Sequence, residues 1–149
     1  MARPAPWQLL RETYPYSIEV PPRFADLDPM GHINNVAIAS MFETGRVMFH
    51  HQLNTHPREM GVRWLVAAVN LSFVQEMHAP HSVAICSGLR RIGNSSWTIL
   101  SAAFQQDECC AVCETVMVAK GASDRGLIDD ELRARMQPFY VKVPVGAEA

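Results

Sequence analysis

Between residues 24 and 35 the chain reads FADLDPMGHINN, which sets two carboxylates, a His and two Asn immediately ahead of an apolar run. Asp28 precedes Pro29 and is biased away from helical backbone, so it belongs to the loop that leads into the following helix. The first N–H groups of that helix, at Asn34 to Ile38, lack intrahelical acceptors and carry the positive end of the helix dipole. A carbonyl oxygen that gains negative charge as its carbon is attacked would be stabilised there. A carboxylate beside it can attack that carbon or take a proton from an attacking water. These residue types could therefore serve chemistry at a carbonyl carbon. Asp, Pro, Gly and Asn also shape turns, so the same residues serve the loop itself. Asp26 reads as a loop organiser acting through Arg23. Gly31 reads as a source of unusual backbone geometry or close ligand approach, and His32 as a contact for substrate, a tuner of Asp28 or a loop-orienting imidazole.

Several elements must hold this stretch in place. TYPYSIEVPPRF alternates at Tyr16, Ile18 and Val20 and predicts a first strand, broken at Pro21 and Pro22. From Asn34 the apolar spacing becomes helical: Ile38, Phe42, Gly45 and Phe49 fall four, three and four apart, while Glu43, Arg46 and His50 occupy another stripe. This predicts a helix of roughly four turns with Asn34 as its N-cap. A mid-helix Gly costs about 1 kcal/mol relative to Ala, so Gly45 predicts close packing against another backbone. Glu43 and Arg46, three apart, predict an ion pair.

After a polar connection over residues 54–61 come four apolar segments, VRWLVAAVNLSFVQEM, HSVAICSGLRRIG, SSWTILSAAFQQ and ECCAVCETVMVAK. IGNSS and QQDE carry hairpin residues and MHAP a wider turn, which predicts an antiparallel meander. A short helix from about Asp129 to Met136 ends before Pro138. The plan is α+β, with one long helix on one face of a sheet of about five strands, in a single domain over 1–149 whose core is about 16–120. One helix covers only part of such a sheet. A second copy of the chain is the simplest source of further cover, as a homodimer or homotetramer.

Composition excludes several other classes. The chain has 149 residues, 48% of them apolar, enough for a sizeable core, and a net charge of −2 gives no electrostatic case for nucleic acid or an anionic membrane. Its apolar runs are too short to span a bilayer, and its first residues lack the pattern of a secretory signal, so a cytoplasmic location is expected. Cys86, Cys109, Cys110 and Cys113 do not resemble a disulfide framework. Period-two geometry would send Cys110 and Cys113 to opposite faces of a strand, which prevents a shared metal. Met30 occupies a position where a calcium loop needs Asp or Asn. His78 and His81 flank Pro80 and read as exposed turn residues rather than metal ligands. D-L-D-P also matches the nucleophile pair of haloacid-dehalogenase phosphatases, but the alternating βαβ units of that fold are missing.

The run from Arg23 to Asn35, together with Phe42, Glu43 and Arg46, resembles the signature of hotdog-fold acyl-CoA thioesterases of the 4-hydroxybenzoyl-CoA type, over roughly residues 16–120. The resemblance implies a helix wrapped by a curved antiparallel sheet, dimers with sheets side by side, and active sites at the dimer interface. It implies hydrolysis of an acyl-CoA to free acid and coenzyme A. No metal or other cofactor is required, because a thiolate leaves readily. Asp28 matches the family's catalytic carboxylate and the N–H of Asn35 its oxyanion donor, with His32 beside them and substrate contacts at Gly31, Asn34 and Ile38. Arg90 and Arg91, next to the IGNSS turn, are candidates for the coenzyme A phosphates and equally what a solvated hairpin carries. Ile38 stands where many relatives have an aromatic, and Ser40 and Met41 replace larger or charged residues, which implies a more aliphatic or roomier acyl pocket. The alternative is a hotdog protein that binds an acyl thioester or another apolar ligand without cleaving it. Hotdog dehydratases and hydratases use a different local pattern of His and acid, which is not found here.

Overall fold

The computed structural model of the chain describes residues 3–55, 63–120 and 128–147, which leaves most of the polar connection at 54–61 outside the described residues. Strand β1 (Tyr16–Val20) is followed by helix α1 (Asn35–Gln52), then β2 (Arg63–Phe73), β3 (Val83–Ile92), β4 (Ser96–Gln105), β5 (Glu108–Lys120) and a short helix α2 (Asp130–Met136). Asn34 caps α1 as expected, its side chain accepting the Ala37 N–H at 2.7 Å. Asp129 caps α2 in the same way through Leu132 N–H at 2.8 Å. No helix among the described residues is long and apolar enough to cross a membrane.

The strands form one antiparallel sheet in the order β1-β3-β4-β5-β2. The expected meander therefore holds for β3, β4 and β5, while β2 does not pair with β3 and instead lies beyond β5, from Arg63↔Lys120 to Phe73↔Ala111. The physical reason is the connection over residues 74–82. At up to about 3.3 Å per residue it easily crosses the roughly 14 Å that separates strands three places apart. Register shifts at Val66/Ala68, Leu89/Arg91 and Ala103/Phe104 mark β-bulges, which bend strands and raise their twist.

One of these bulges corrects the expectation for the thiols. Ala103 pairs with Ala111 and Phe104 with Cys109, so Cys110 is an extra residue in β5. The alternation is reset there, and Cys110, Ala111 and Cys113 all face the α1 side. All four cysteines are free, and burial raises their thiols, Cys86 to about 11 and Cys109 to about 12. Such thiols are not thiolate nucleophiles at neutral pH.

On the α1 side, Ala37, Ile38, Met41 and Phe42 pack on Val83, Ile85 and Ala103. Phe49 and Leu53 pack further along with Leu89, Trp97, Met117 and α2 residues Leu132 and Met136. The outer face is partly covered by the chain itself: Trp7, Tyr14 and Val141 sit on Cys86, Leu100, Ala102 and Phe104. Gly45 packs tightly, as expected, but against a side chain. A Cβ there would overlap Cγ2 of Ile85 and lie 3.1 Å from its Cβ. Gly45→Ala is therefore expected to lower stability by about 1 kcal/mol, since overpacking costs ~1–3 kcal/mol against a helix gain of ~1 kcal/mol. Thermal melts check this, and in the double variant with Ile85→Ala the losses should be less than additive.

Candidate active site

The loop before α1 is held from both ends. Leu27 and Ile33 form a bridge, Asp28 N–H donates to the His32 carbonyl at 2.8 Å, and Gly31 N–H donates to the Asp28 carbonyl at 3.0 Å. Gly31 adopts a φ of 82°, a conformation that favours glycine, and no atom stands within 4 Å of where its Cβ would be. Its role in the single chain is thus conformational. Below the turn, Asp26 is buried and accepts from the Arg23 guanidinium at 2.8 Å and from its backbone N–H at 2.7 Å. Asn34 N–H donates to the Asp26 carbonyl at 2.8 Å, which ties this pair to the start of α1.

The Arg23 hydrogen bonds hold the Asp26 carboxyl below its ordinary value of 3.8. A folded value below the unfolded one means the pair stabilises fully above that ordinary value and loses its contribution as pH falls through the lowered one. Asp26→Asn is accordingly expected to melt several degrees below the parent protein at pH 7, with the gap narrowing as pH falls below 3.8 and through the lowered value. Melting curves across that range check the sign.

Asp28 is half-buried. Its Oδ1 accepts the N–H of Met30 at 2.8 Å and of His32 at 3.0 Å, while no hydrogen bond from the described residues reaches Oδ2. This carboxylate lines a cleft of about 350 Å³ together with His32, Asn35 and Ile38, and residues 73–77 form the opposite wall. Asn34 uses its side chain on Ala37 and its carbonyl on Ile38 N–H at 3.0 Å. The N–H groups of Asn35 and Val36 therefore have no acceptor among the described residues, at the positive end of α1. An oxygen-bearing electrophile seated here would meet N–H donors and a carboxylate in the same cleft.

The candidates named from sequence divide clearly. Asp28, His32, Asn35 and Ile38 share the cleft, and Asn34 and Gly31 shape its rim through cap and turn. His32 does not direct its ring at Asp28. Its Nε2 lies 3.4 Å from Glu76 Oε2, and its ring meets that of His78 edge to face with centroids 4.8 Å apart. His78 is thus brought to His32 and Glu76, not paired with His81, whose Nε2 meets Gln106 at 3.2 Å. Glu76 and the 73–77 wall were missed. Their signal was weak, because only the β2 placement brings that segment against the loop. Glu43 and Arg46 form the expected pair at 3.4 Å. Arg90 lies over the Trp7 ring, 5.0 Å from its centroid, and Arg91 is exposed near the end of β3. Val83, at the other end of that strand, packs beside Ile33 and Ile38. Roughly 26 Å of strand separates it from Arg91, so a single chain does not bring these arginines to the cleft.

The same organisation is found in known proteins. A model of the thioesterase-like superfamily matches residues 22–141, from just before the Asp26 loop to past α2. No curated protein matches the chain. Among solved structures, a thioesterase complexed with coenzyme A and Zn from Thermus thermophilus superimposes with a TM-score of 0.76 at 23% identity, covering 86% of this chain and 96% of the other. A predicted thioesterase from Bacillus stearothermophilus gives 0.75 at 25% identity, covering 87% and 98%. A DHNA-CoA thioesterase from Staphylococcus aureus gives 0.69 at 17% identity, covering 81% and 89%. These neighbours share the helix and five-stranded curved sheet, the hotdog fold. The match across four-fifths of the chain, on the segment that builds the cleft, places it in the thioesterase-like superfamily and supports thioester hydrolysis as its chemistry.

Proposed function

We propose that the chain hydrolyses an acyl-CoA thioester in the cleft at the start of α1. The observation that carries this reading is the presence of the Asp28 carboxylate and the unpaired N–H of Asn35 in the same cleft. The thioester carbonyl oxygen points at Asn35 N–H, which favours the charge that develops as the carbon becomes tetrahedral. Asp28 acts through its free Oδ2, either on the carbon directly to give a mixed anhydride or on the water that attacks it. The coenzyme A thiolate departs and water completes the acid. Ile38, buried against the sheet, together with Phe73 and Met77, offers the acyl group an apolar wall. A coenzyme A thioester is favoured as substrate class because one neighbour is a DHNA-CoA thioesterase and another is complexed with coenzyme A.

The functional unit in this reading is a homodimer, with β2 as the shared edge and residues 73–77 of each chain completing a cleft wall. Four free thiols suit a reducing compartment such as the cytoplasm. Release of free thiol across a panel of aliphatic and aromatic acyl-CoAs tests the proposal. Turnover of at least one class, abolished or nearly so in Asp28→Asn, supports it. A parent protein no faster than that variant on every substrate, while still binding acyl-CoA, makes the chain a thioester-binding protein instead.

A further inference from the structure

At the rim of the cleft, which His32 and Glu76 both line, two imidazoles and a carboxylate converge. We propose that His32, Glu76 and His78 bind one divalent first-row transition cation of the zinc class. This inference does not rest on the hydrolytic reading.

The backbone explains the convergence. His32 and His78 face each other in an antiparallel bridge, reinforced by Ile33 N–H donating to the Met77 carbonyl at 2.8 Å. Glu76 lies two residues before His78, on a segment fixed by that bridge, so its carboxylate reaches the same side. The result is a compact donor set, with Glu76 Oε2 3.4 Å from His32 Nε2 and 3.8 Å from His78 Nε2, and all three ligand atoms within 4.8 Å of one another. Bonds of about 2.0–2.1 Å in a tetrahedral site put neighbouring donors about 3.3 Å apart. The observed separations therefore need only small side-chain rotations to close on an ion.

The scaffold is also held in advance. Gln105 is buried and spans the turn that carries His78: its Oε1 accepts His78 N–H at 2.8 Å, and its Nε2 donates to the carbonyls of His78 and His81 at 2.7 and 2.8 Å. A buried amide with three hydrogen bonds to one turn limits the positions its imidazole can take. The donor set, two imidazole nitrogens and one carboxylate, suits zinc and its neighbours rather than calcium or magnesium. Three protein ligands leave a fourth position for water. His81, turned to Gln106, is no part of the set.

Titration of chelator-treated protein with ZnCl₂ by calorimetry, and with CoCl₂ by visible absorption, tests this. One ion per chain with micromolar or tighter affinity is expected, with Co²⁺ bands of four- or five-coordinate intensity and no thiolate charge-transfer band. His78→Ala and Glu76→Gln should each weaken binding by at least about tenfold, whereas His81→Ala should leave it unchanged. A parent protein that takes up no stoichiometric ion overturns the proposal. So does an affinity that survives His78→Ala in a protein with an unaltered melting curve. The isotherm is read without thioester turnover, so failure of the hydrolytic reading and failure of this one are told apart.

Discussion

Asp28→Asn is expected to lower turnover on the preferred acyl-CoA by about 10²- to 10⁴-fold while KM changes little. The substitution is informative because the proposed mechanism gives the carboxylate two separable tasks. Its Oδ1 fastens the loop through Met30 and His32 N–H, and an asparagine carbonyl accepts the same two bonds. Its Oδ2 is the atom to which the proposal gives the chemistry, and an amide nitrogen in that place neither attacks a carbonyl nor takes a proton. The Asn variant should therefore melt close to the parent. Asp28→Ala should lose the two loop bonds as well, at about 0.5–1.5 kcal/mol each, and melt measurably lower. If the Asn variant keeps its turnover and only the Ala variant fails, the carboxylate is a loop cap and the catalytic assignment is wrong.

What the sequence made legible follows from how local the governing forces are. The α1 stripe, the Asn34 cap and the Arg23–Asp26 pair depend on neighbours within four residues, and each is found in the structure. The strands of the sheet were readable from alternation, but their order was not. Nothing in the β2 segment itself distinguishes a place beside β3 from one beside β5, because both partners present similar apolar faces. The Cys110 bulge was hidden for a related reason: an extra residue is defined by its cross-strand partners, Phe104 and Ala103, and not by its own strand. The outer cover was missed because Trp7 and Tyr14 sit among prolines and polar residues without a periodic pattern. That Asp28, Asn35 and Ile38 lie close together was visible because one short stretch, the loop and the first turn of α1, carries them. Glu76 and His78 were not, since they reach His32 only through a bridge between segments more than forty residues apart in the chain.

The exposed edge of the sheet leads to the second large effect: Val69→Lys is expected to convert a dimer into a monomer and to suppress hydrolysis with it. Strand β2 is eleven residues long and lies at the edge beyond β5, so among the described residues one side of its backbone has no strand partner for its N–H and carbonyl groups. Its side chains Leu65, Val66, Val69 and Phe73 are each about half exposed, and Val36 on α1 is 80% exposed. A groove of about 350 Å³ runs between the two elements, with Val36, Phe42, Val69 and Leu71 along it and Arg46 at one side. An apolar edge of this length invites pairing, and a two-fold axis through β2 would join two sheets into one while covering both grooves. The same strand runs into the 73–77 wall of the cleft, so a partner placed there also encloses the site and excludes water from it. A lysine at 69 leaves a lone chain unharmed, because its ammonium stays in water. In a paired edge it must be desolvated in a groove where the Glu43 carboxylate is already paired with Arg46, at a cost of several kcal/mol. Sedimentation equilibrium should then show a mass of 16.6 kDa for the variant and about twice that for the parent, with activity falling in step. A parent protein that sediments as a monomer at full activity would show that the cleft is complete within one chain.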